Sequence, residues 1–271
     1  MNNIDPNAKK HLEVTQDNKV RFVQYINNEA VKKNIEQALG SEARALRFVS
    51  SVSSAVQANA QLAECEKATI LNAALLGEAL NLSPSASLGQ YFIVPYKDRN
   101  KAQKQATFQL GYKGYVQLAI RSGEYQKLNV TEVKEGEFVE WDRINEELTI
   151  NPIKDEGDWA KTPTVGYYAY FVTNNGFKKA MYWTREHMEK HAKEYSKAYS
   201  KGQGFWATSF DEMAKKTMLR QLISKWGIMS IEMQRAYQND MAVVGDATGE
   251  AAPEYIDNPE AEPIDVESTT L

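Results

Sequence analysis

The stretch from Leu88 to Lys127, LGQYFIVPYKDRNKAQKQATFQLGYKGYVQLAIRSGEYQK, limits the folds open to this chain more than any other. Residues 90–96 and 106–110 read as two apolar strand segments, and the polar loop between them carries Lys97, Arg99, Lys101 and Lys104. A short amphipathic helix begins near Lys113 and ends at Arg121-Ser122-Gly123. Seven basic residues stand here against two acids, and seven aromatic rings (Tyr91, Phe92, Tyr96, Phe108, Tyr112, Tyr115 and Tyr125) are interleaved with them. Cations for phosphates beside flat rings for bases are what a single-stranded nucleic acid requires. The other reading is a core hairpin whose charges are merely solvated.

Helical patterns precede this stretch. Residues 1 to about 28 are polar and without periodicity, and are expected to be a flexible arm. Helices are predicted over 29–39, with Gly40 as the stop, and over 42–56, with Ser41 as the cap. Ser50, Ser51, Ser53 and Ser54 make a small-residue face on the second, a candidate protomer contact. A third helix is predicted near 66–81, and Leu82-Ser83-Pro84 closes the helical region.

Strands follow. Residues 127–133, 138–142 and 148–151 are short candidates, and 165–173 with 177–184 flank Asn174-Asn175-Gly176, a strong hairpin signal. Thr184 caps a polar helix, 185–196, and 198–204 is a loop. Ser209-Phe210-Asp211-Glu212 fits a capping box opening a helix to Trp226, and a last helix covers 231–241. The class is α+β: N-terminal helices, central antiparallel hairpins and sheet with a basic groove, C-terminal helices. Residues 29–245 make one domain, and 246–271 an acidic, disordered tail.

The net charge of −4 conceals a segregation of sign. The tail holds eight acids and neither Lys nor Arg; without it the body has 32 basic residues against 28 acidic. Within the body, 132–158 is acidic while 88–127 and 178–225 are basic, which suits a polyanion on one side only. The tail either competes with such a ligand or keeps the protein soluble.

Several chemistries lack their residues. The single cysteine, Cys65, excludes a disulfide framework and a cysteine-rich zinc site. His187 and His191 are four apart, but HMEKH is not the zinc-protease order and no third ligand is evident; they read as exposed helix-surface histidines. There is no Walker-type phosphate loop, and Gly202-Gln203-Gly204-Phe205-Trp206-Ala207 follows a helix and loop rather than a strand, so it reads as a flexible turn. The carboxylates of 132–158 alternate with Lys134, Arg143 and Lys154 as a solvated face. A metal-dependent single-strand nuclease using Asp142 or Asp158 is the alternative from another class, and an RNA-binding or structural module a third. No apolar run approaches the roughly 18 residues that span a bilayer, and no signal-peptide core is visible, so the expected location is cytoplasmic. Neither cofactor nor metal is expected, and the chain reads as a binding protein rather than an enzyme.

Three segments, Gln90-Tyr91-Phe92-Ile93-Val94-Pro95-Tyr96, Phe108-Gln109-Leu110-Gly111-Tyr112-Lys113-Gly114 and Ala119-Ile120-Arg121-Ser122-Gly123, resemble the hallmark segments of the RecT family of phage and prophage single-strand annealing proteins. Leu82-Ser83-Pro84 and Glu212-Met213-Ala214-Lys215-Lys216-Thr217 extend the likeness over roughly 40–240. The resemblance implies an ATP-independent recombinase that binds single-stranded DNA, anneals complementary strands through a duplex intermediate, and assembles as a ring or helical filament. It also implies a phage 5′→3′ exonuclease as partner, with a host single-strand binding protein nearby and no membrane.

Annealing requires two polyanions held close with their base edges free. The expected groove has Lys97, Arg99, Lys101, Lys104, Gln109, Lys113 and Arg121 on one side and Lys215, Lys216 and Arg220 on the other. Lys113 and Arg121, eight apart, share a helix face. Tyr112 is either a stacking platform or a core ring, and Trp206 either stacks on a base or staples the helix it precedes.

Overall fold

A computed structural model describes residues 6–85, 87–97, 100–245 and 254–255. Four helices lead: α1 (Pro6–Ile26), α2 (Glu29–Leu39), α3 (Glu42–Ala58) and α4 (Lys67–Ala79). The expected arm is therefore helical from residue 6. Its anchors are Phe22 and Ile26, four apart on one face and both buried, and Lys19 Nζ donates to the Gln57 carbonyl of α3 at 2.8 Å. Among the described side chains of the helix, two buried anchors amid mostly polar residues are too sparse a pattern to show as periodicity. The α2–α3 junction follows local chemistry: Gly40 takes the left-handed C-cap with φ 64°, and the Ser41 hydroxyl accepts from Arg44 N–H. In α4 the small and aliphatic residues Ile70, Ala73, Ala74 and Leu76 are all buried, so the helix lies inside rather than on the surface.

The strands β1 (Tyr91–Tyr96) and β2 (Gln105–Leu110) form an antiparallel hairpin, with Tyr91 opposite Leu110 and Val94 opposite Thr107. Alternation divides them: Tyr91, Ile93, Ala106 and Phe108 face the core, while Val94, Tyr96, Thr107 and Gln109 line the opposite side. Next come α5 (Tyr112–Ser122), β3 (Tyr125–Lys134), β4 (Phe138–Asp142), β5 (Glu147–Ile150), α6 (Glu156–Lys161), β6 (Thr164–Thr173) and β7 (Lys178–Thr184). Sheet β3-β6-β7 is antiparallel, and Gly176, at φ 85°, makes the β6–β7 turn. The β4–β5 hairpin lies against it, with Phe138 and Trp141 on Tyr182.

The last part holds α7 (Arg185–Tyr195), α8 (Phe205–Thr208), α9 (Phe210–Trp226), α10 (Ile231–Asn239), β8 (Ala242–Val243) and β9 (Glu254–Tyr255). Helix α9 is the shared beam. Ala214, Met218 and Leu222 face a core made with Tyr167, Ala169 and Phe171 of β6 and Met188 and Ala192 of α7. Leu219 and Ile223 face the larger core of α1–α5 and the β1–β2 hairpin. Ser209 makes no side-chain cap hydrogen bond and Glu212 pairs with Lys215, so the expected capping box does not form. Strand β8 joins β2, and β9 joins β8; these two residues of the expected disordered tail are thus paired, and its remainder lies outside the described residues. Among the described residues no helix is long and apolar enough to cross a membrane.

Candidate nucleic-acid interface

The outward side of the β1–β2 hairpin and the segment between α7 and α8 face each other across an open cleft of about 780 Å³. Val94, Pro95, Tyr96, Thr107 and Gln109 form one wall; Ser196, Lys197, Ala198, Lys201, Gln203, Gly204, Phe205 and Trp206 form the other, with Met213 and Met241 also lining it. Three lysines, Lys97, Lys197 and Lys201, line it, and no described lining residue is a carboxylate. All three are exposed. Lys97 Nζ reaches the Ala102 carbonyl at 3.4 Å, within its own loop. Lys197 and Lys201 have no ion-pair partner among the described residues.

The lysines owe their position to local structure. Ser196 ends α7, its hydroxyl accepts from Tyr199 N–H, and Gly202 takes φ 68° to close the following turn. Gly204, at φ 79°, then starts α8, so Phe205 emerges onto the cleft 41% exposed while Trp206 turns inward. Phe205 leans on Phe92 at 6.0 Å between ring centroids, and Trp206 packs against Phe210, Tyr199 and His191. The Gly202–Ala207 stretch is thus a turn followed by a short helix. Lys197, Lys201 and Phe205 were absent from the expected site; their signal was a basic loop with an adjacent ring, masked by the absence of periodicity there.

The cations expected opposite are not on the cleft. Lys216 and Arg220 point at Asp240, at 2.8 and 2.7 Å, and Asp240 also accepts from Leu110 N–H and, on its other oxygen, the Tyr115 hydroxyl. Burial alone would raise the Asp240 carboxyl, but the two cations and these donors hold it below its ordinary value. Lys215 pairs with Glu212 at 2.8 Å and Glu132 at 3.4 Å and lies 4.9 Å above the Tyr112 ring. Tyr112 is accordingly a half-buried ring packed under a lysine. These corrections share one cause: α9 is buried on two sides, so its remaining stripes must meet counter-charges inside.

The other expected residues divide. Lys104 is held by Glu64 at 2.9 Å, and Lys101 is half-buried in the same loop. Arg99 lies outside the described residues. Lys113 and Arg121 are both exposed on α5, but the Arg121 guanidinium donates to the Leu80 and Asn81 carbonyls that end α4. Gln109 is half-buried in the cleft wall.

A family model described as the RecT family matches residues 46–255, a span running from α3 through the cleft and the Asp240 cluster to the last residue of β9. The chain belongs to the RecT family. Among its relatives, uncharacterized protein YqaK of Bacillus subtilis (strain 168) is 38% identical over 211 residues, covering 78% of this chain and 69% of that protein. Protein RecT of Escherichia coli (strain K12) is 29% identical over 245 residues, covering 87% of this chain and 88% of that protein.

The RecT-family segment Phe108–Gly114 has a physical reason for its glycines. A Cβ on Gly111 would stand 2.1 Å from the Gly89 carbonyl oxygen, and one on Gly114 would stand 2.1 Å from that of Gln90. Both glycines let α5 seat directly on the backbone leading into β1, which fixes the hairpin carrying the cleft wall.

The histidines and carboxylates have structural places. His187 is exposed and stacks on Trp183 at 4.3 Å, whereas His191 is half-buried among Trp183, Tyr195 and Trp206 rather than exposed. Burial and then the neighbouring His187 push its imidazole down to about 4. Glu132 and Glu137 turn inward instead of forming a solvated face: Glu132 pairs with Lys134, and Glu137 accepts from Lys134 and Ile153 N–H. Asp142 closes its own turn through Ile144 and Asn145, and Asp158 sits in the first turn of α6. Among the described residues no three His, Cys, Asp or Glu side chains converge as a metal site would require.

Proposed function

We propose that this protein binds single-stranded DNA along the cleft and anneals complementary strands without nucleotide hydrolysis. The observation that carries this reading is a cleft with three lysines, the exposed Phe205 and half-buried Tyr96 rings at its edge, and no described carboxylate. Membership of the RecT family and likeness to E. coli protein RecT support it. Lys97, Lys197 and Lys201 take phosphates, releasing counterions, and Phe205 and Tyr96 offer faces to bases. Gln109 contributes hydrogen bonds from the hairpin wall. Lys101 and Lys113 add positive potential around this path, and Lys104 and Arg121 act through the elements they tie down. Lys215, Lys216, Arg220, Tyr112 and Trp206 hold the walls in place.

A single cleft covers few nucleotides, so useful annealing requires many copies side by side, as a ring or helical filament. The partners in this reading are a 5′→3′ exonuclease that exposes the strand and a host single-strand binding protein that vacates it. The test mixes two complementary labelled oligonucleotides with protein in the absence of ATP. Duplex should form faster than in a protein-free control; equal rates over a protein titration would reject annealing.

A further inference from the structure

We propose a second phosphodiester-binding site, separate from the cleft, between α3 and the turn that follows α4; it rests on the DNA-annealing reading. A cavity of about 310 Å³ opens there, at the Tyr91 end of β1, whereas the lysine cleft begins near Val94 and Tyr96. Helix α3 sends Arg44, Arg47 and Ser51 into it from positions i, i+3 and i+7, which fall on one face. Asn81 and Ser83 line the other side, above a floor of Phe48 and Tyr91.

The charge pattern is that of an anion site. Among the described lining residues Glu78 is the one carboxylate, and Arg44 already engages it at 2.9 Å. Arg47 is exposed and has no partner among the described residues. The Ser83 hydroxyl accepts from Ser85 N–H, which leaves its own hydrogen free to donate outward. The carbonyls ending α4 would place the negative end of a helix dipole beside the cavity, but Arg121 covers Leu80 and Asn81 at 2.6 and 3.3 Å. Lys113 lies against Gly89, next to the lining residue Gln90. Two arginines therefore line the cavity against one paired acid, and Arg121 and Lys113 touch residues at its border.

The cavity is too small for a strand and large enough for one phosphate with its sugar. A planar guanidinium with hydroxyl and amide donors around it matches phosphate oxygens. The phosphate comes from the incoming complementary strand or from a continuation of the first. Annealing needs two neutralised backbones, and a site about 10–17 Å along β1 from the cleft can supply the second.

Arg47→Glu, Arg47→Lys and the parent chain are compared in two arms: binding of one labelled oligonucleotide, and capture of its complement by preloaded protein. We expect first-strand affinity within about twofold of the parent. Capture by Arg47→Glu should slow about fivefold and its salt slope should drop by about 0.7, while Arg47→Lys keeps the slope and recovers the rate only in part. A loss of slope in the first arm instead keeps the phosphodiester site and assigns it to the first strand. Unchanged rates and slopes in both arms overturn the site. So does a loss accompanied by altered particle size in light scattering with the slope intact, which marks a contact between copies. A parent chain that binds no oligonucleotide rejects the annealing reading itself, a result separable from either.

Discussion

Lys197 and Lys201 stand in water on the rim of a cleft, whereas Lys216 and Arg220, on the neighbouring helix, converge on one buried carboxylate. The two pairs have the same formal charge and lie within one basic stretch of the sequence. What separates them is the element beneath. The rim lysines sit on a turn held by Ser196 and Gly202, and a turn has no second layer to face. Helix α9 carries apolar stripes to two cores, and the stripe between them runs into Asp240 at the end of α10. A buried, paired cation cannot contact a phosphate, and its carboxylate offsets much of its field; it locks elements of the fold together.

The sharpest break of that contrast is at Asp240. Asp240→Asn leaves Lys216 and Arg220 facing a neutral amide in the interior, and the loss in unfolding free energy should be about 3–5 kcal/mol by denaturant titration. Because Asp240 is held below its ordinary value, its contribution is present above the unfolded carboxyl range, near about pH 4, and disappears as pH falls through the folded value. In Asp240→Asn the stability should therefore vary less between neutral and acid pH. A loss under about 1 kcal/mol would place the cluster in water and dissolve the comparison.

The rim lysines should behave in the opposite way. Lys197→Ala with Lys201→Ala should leave the melting transition unchanged, weaken single-strand binding about tenfold at low salt, and reduce the salt slope by about 1.4. An unaltered slope in fluorescence anisotropy would remove both residues from the DNA path. Phe205→Ala probes the ring beside them: affinity should fall by about 1 kcal/mol with the slope intact, because stacking releases no counterions. A change in slope would mean that the ring positions a lysine rather than a base.

This contrast also marks how far the sequence could be read. Gly40, Ser41, Thr184 and Asn175-Gly176 act through bonds to near neighbours, and each does what its local chemistry predicts. Partners distant in the chain were not legible. Asp240 is 20 residues from Arg220 and 125 from Tyr115, and only the packing of α5, α9 and β2 brings them together. Arg121 read as a groove cation because its partners, the carbonyls of Leu80 and Asn81, are backbone atoms 40 residues earlier. Helix α1 escaped because, among its described side chains, the buried Phe22 and Ile26 stand amid mostly polar residues and trace no longer stripe. Of the residues expected in a groove, Lys97, Gln109 and Trp206 line the cleft, whereas the facing turn at 198–204 reads in sequence only as a loop.

Lys215 is the smallest and most searching test, because it lies between the two classes. Its side chain is 14% exposed, it bridges Glu212 and Glu132, and it covers the Tyr112 ring. Burial would lower its ammonium, but those carboxylates and the Tyr112 hydroxyl raise it, so it stays charged through the neutral range. In Lys215→Ala, Glu132 keeps Lys134 as partner, and the stability loss should be about 1 kcal/mol or less. If contacts inside the protein exhaust its charge, oligonucleotide affinity should stay within about twofold and the salt slope should not move. A slope reduced by about 0.7 would show that a lysine with two internal partners still reaches a phosphate, and the boundary between structural and DNA-facing cations would then fall inside α9 rather than at its start.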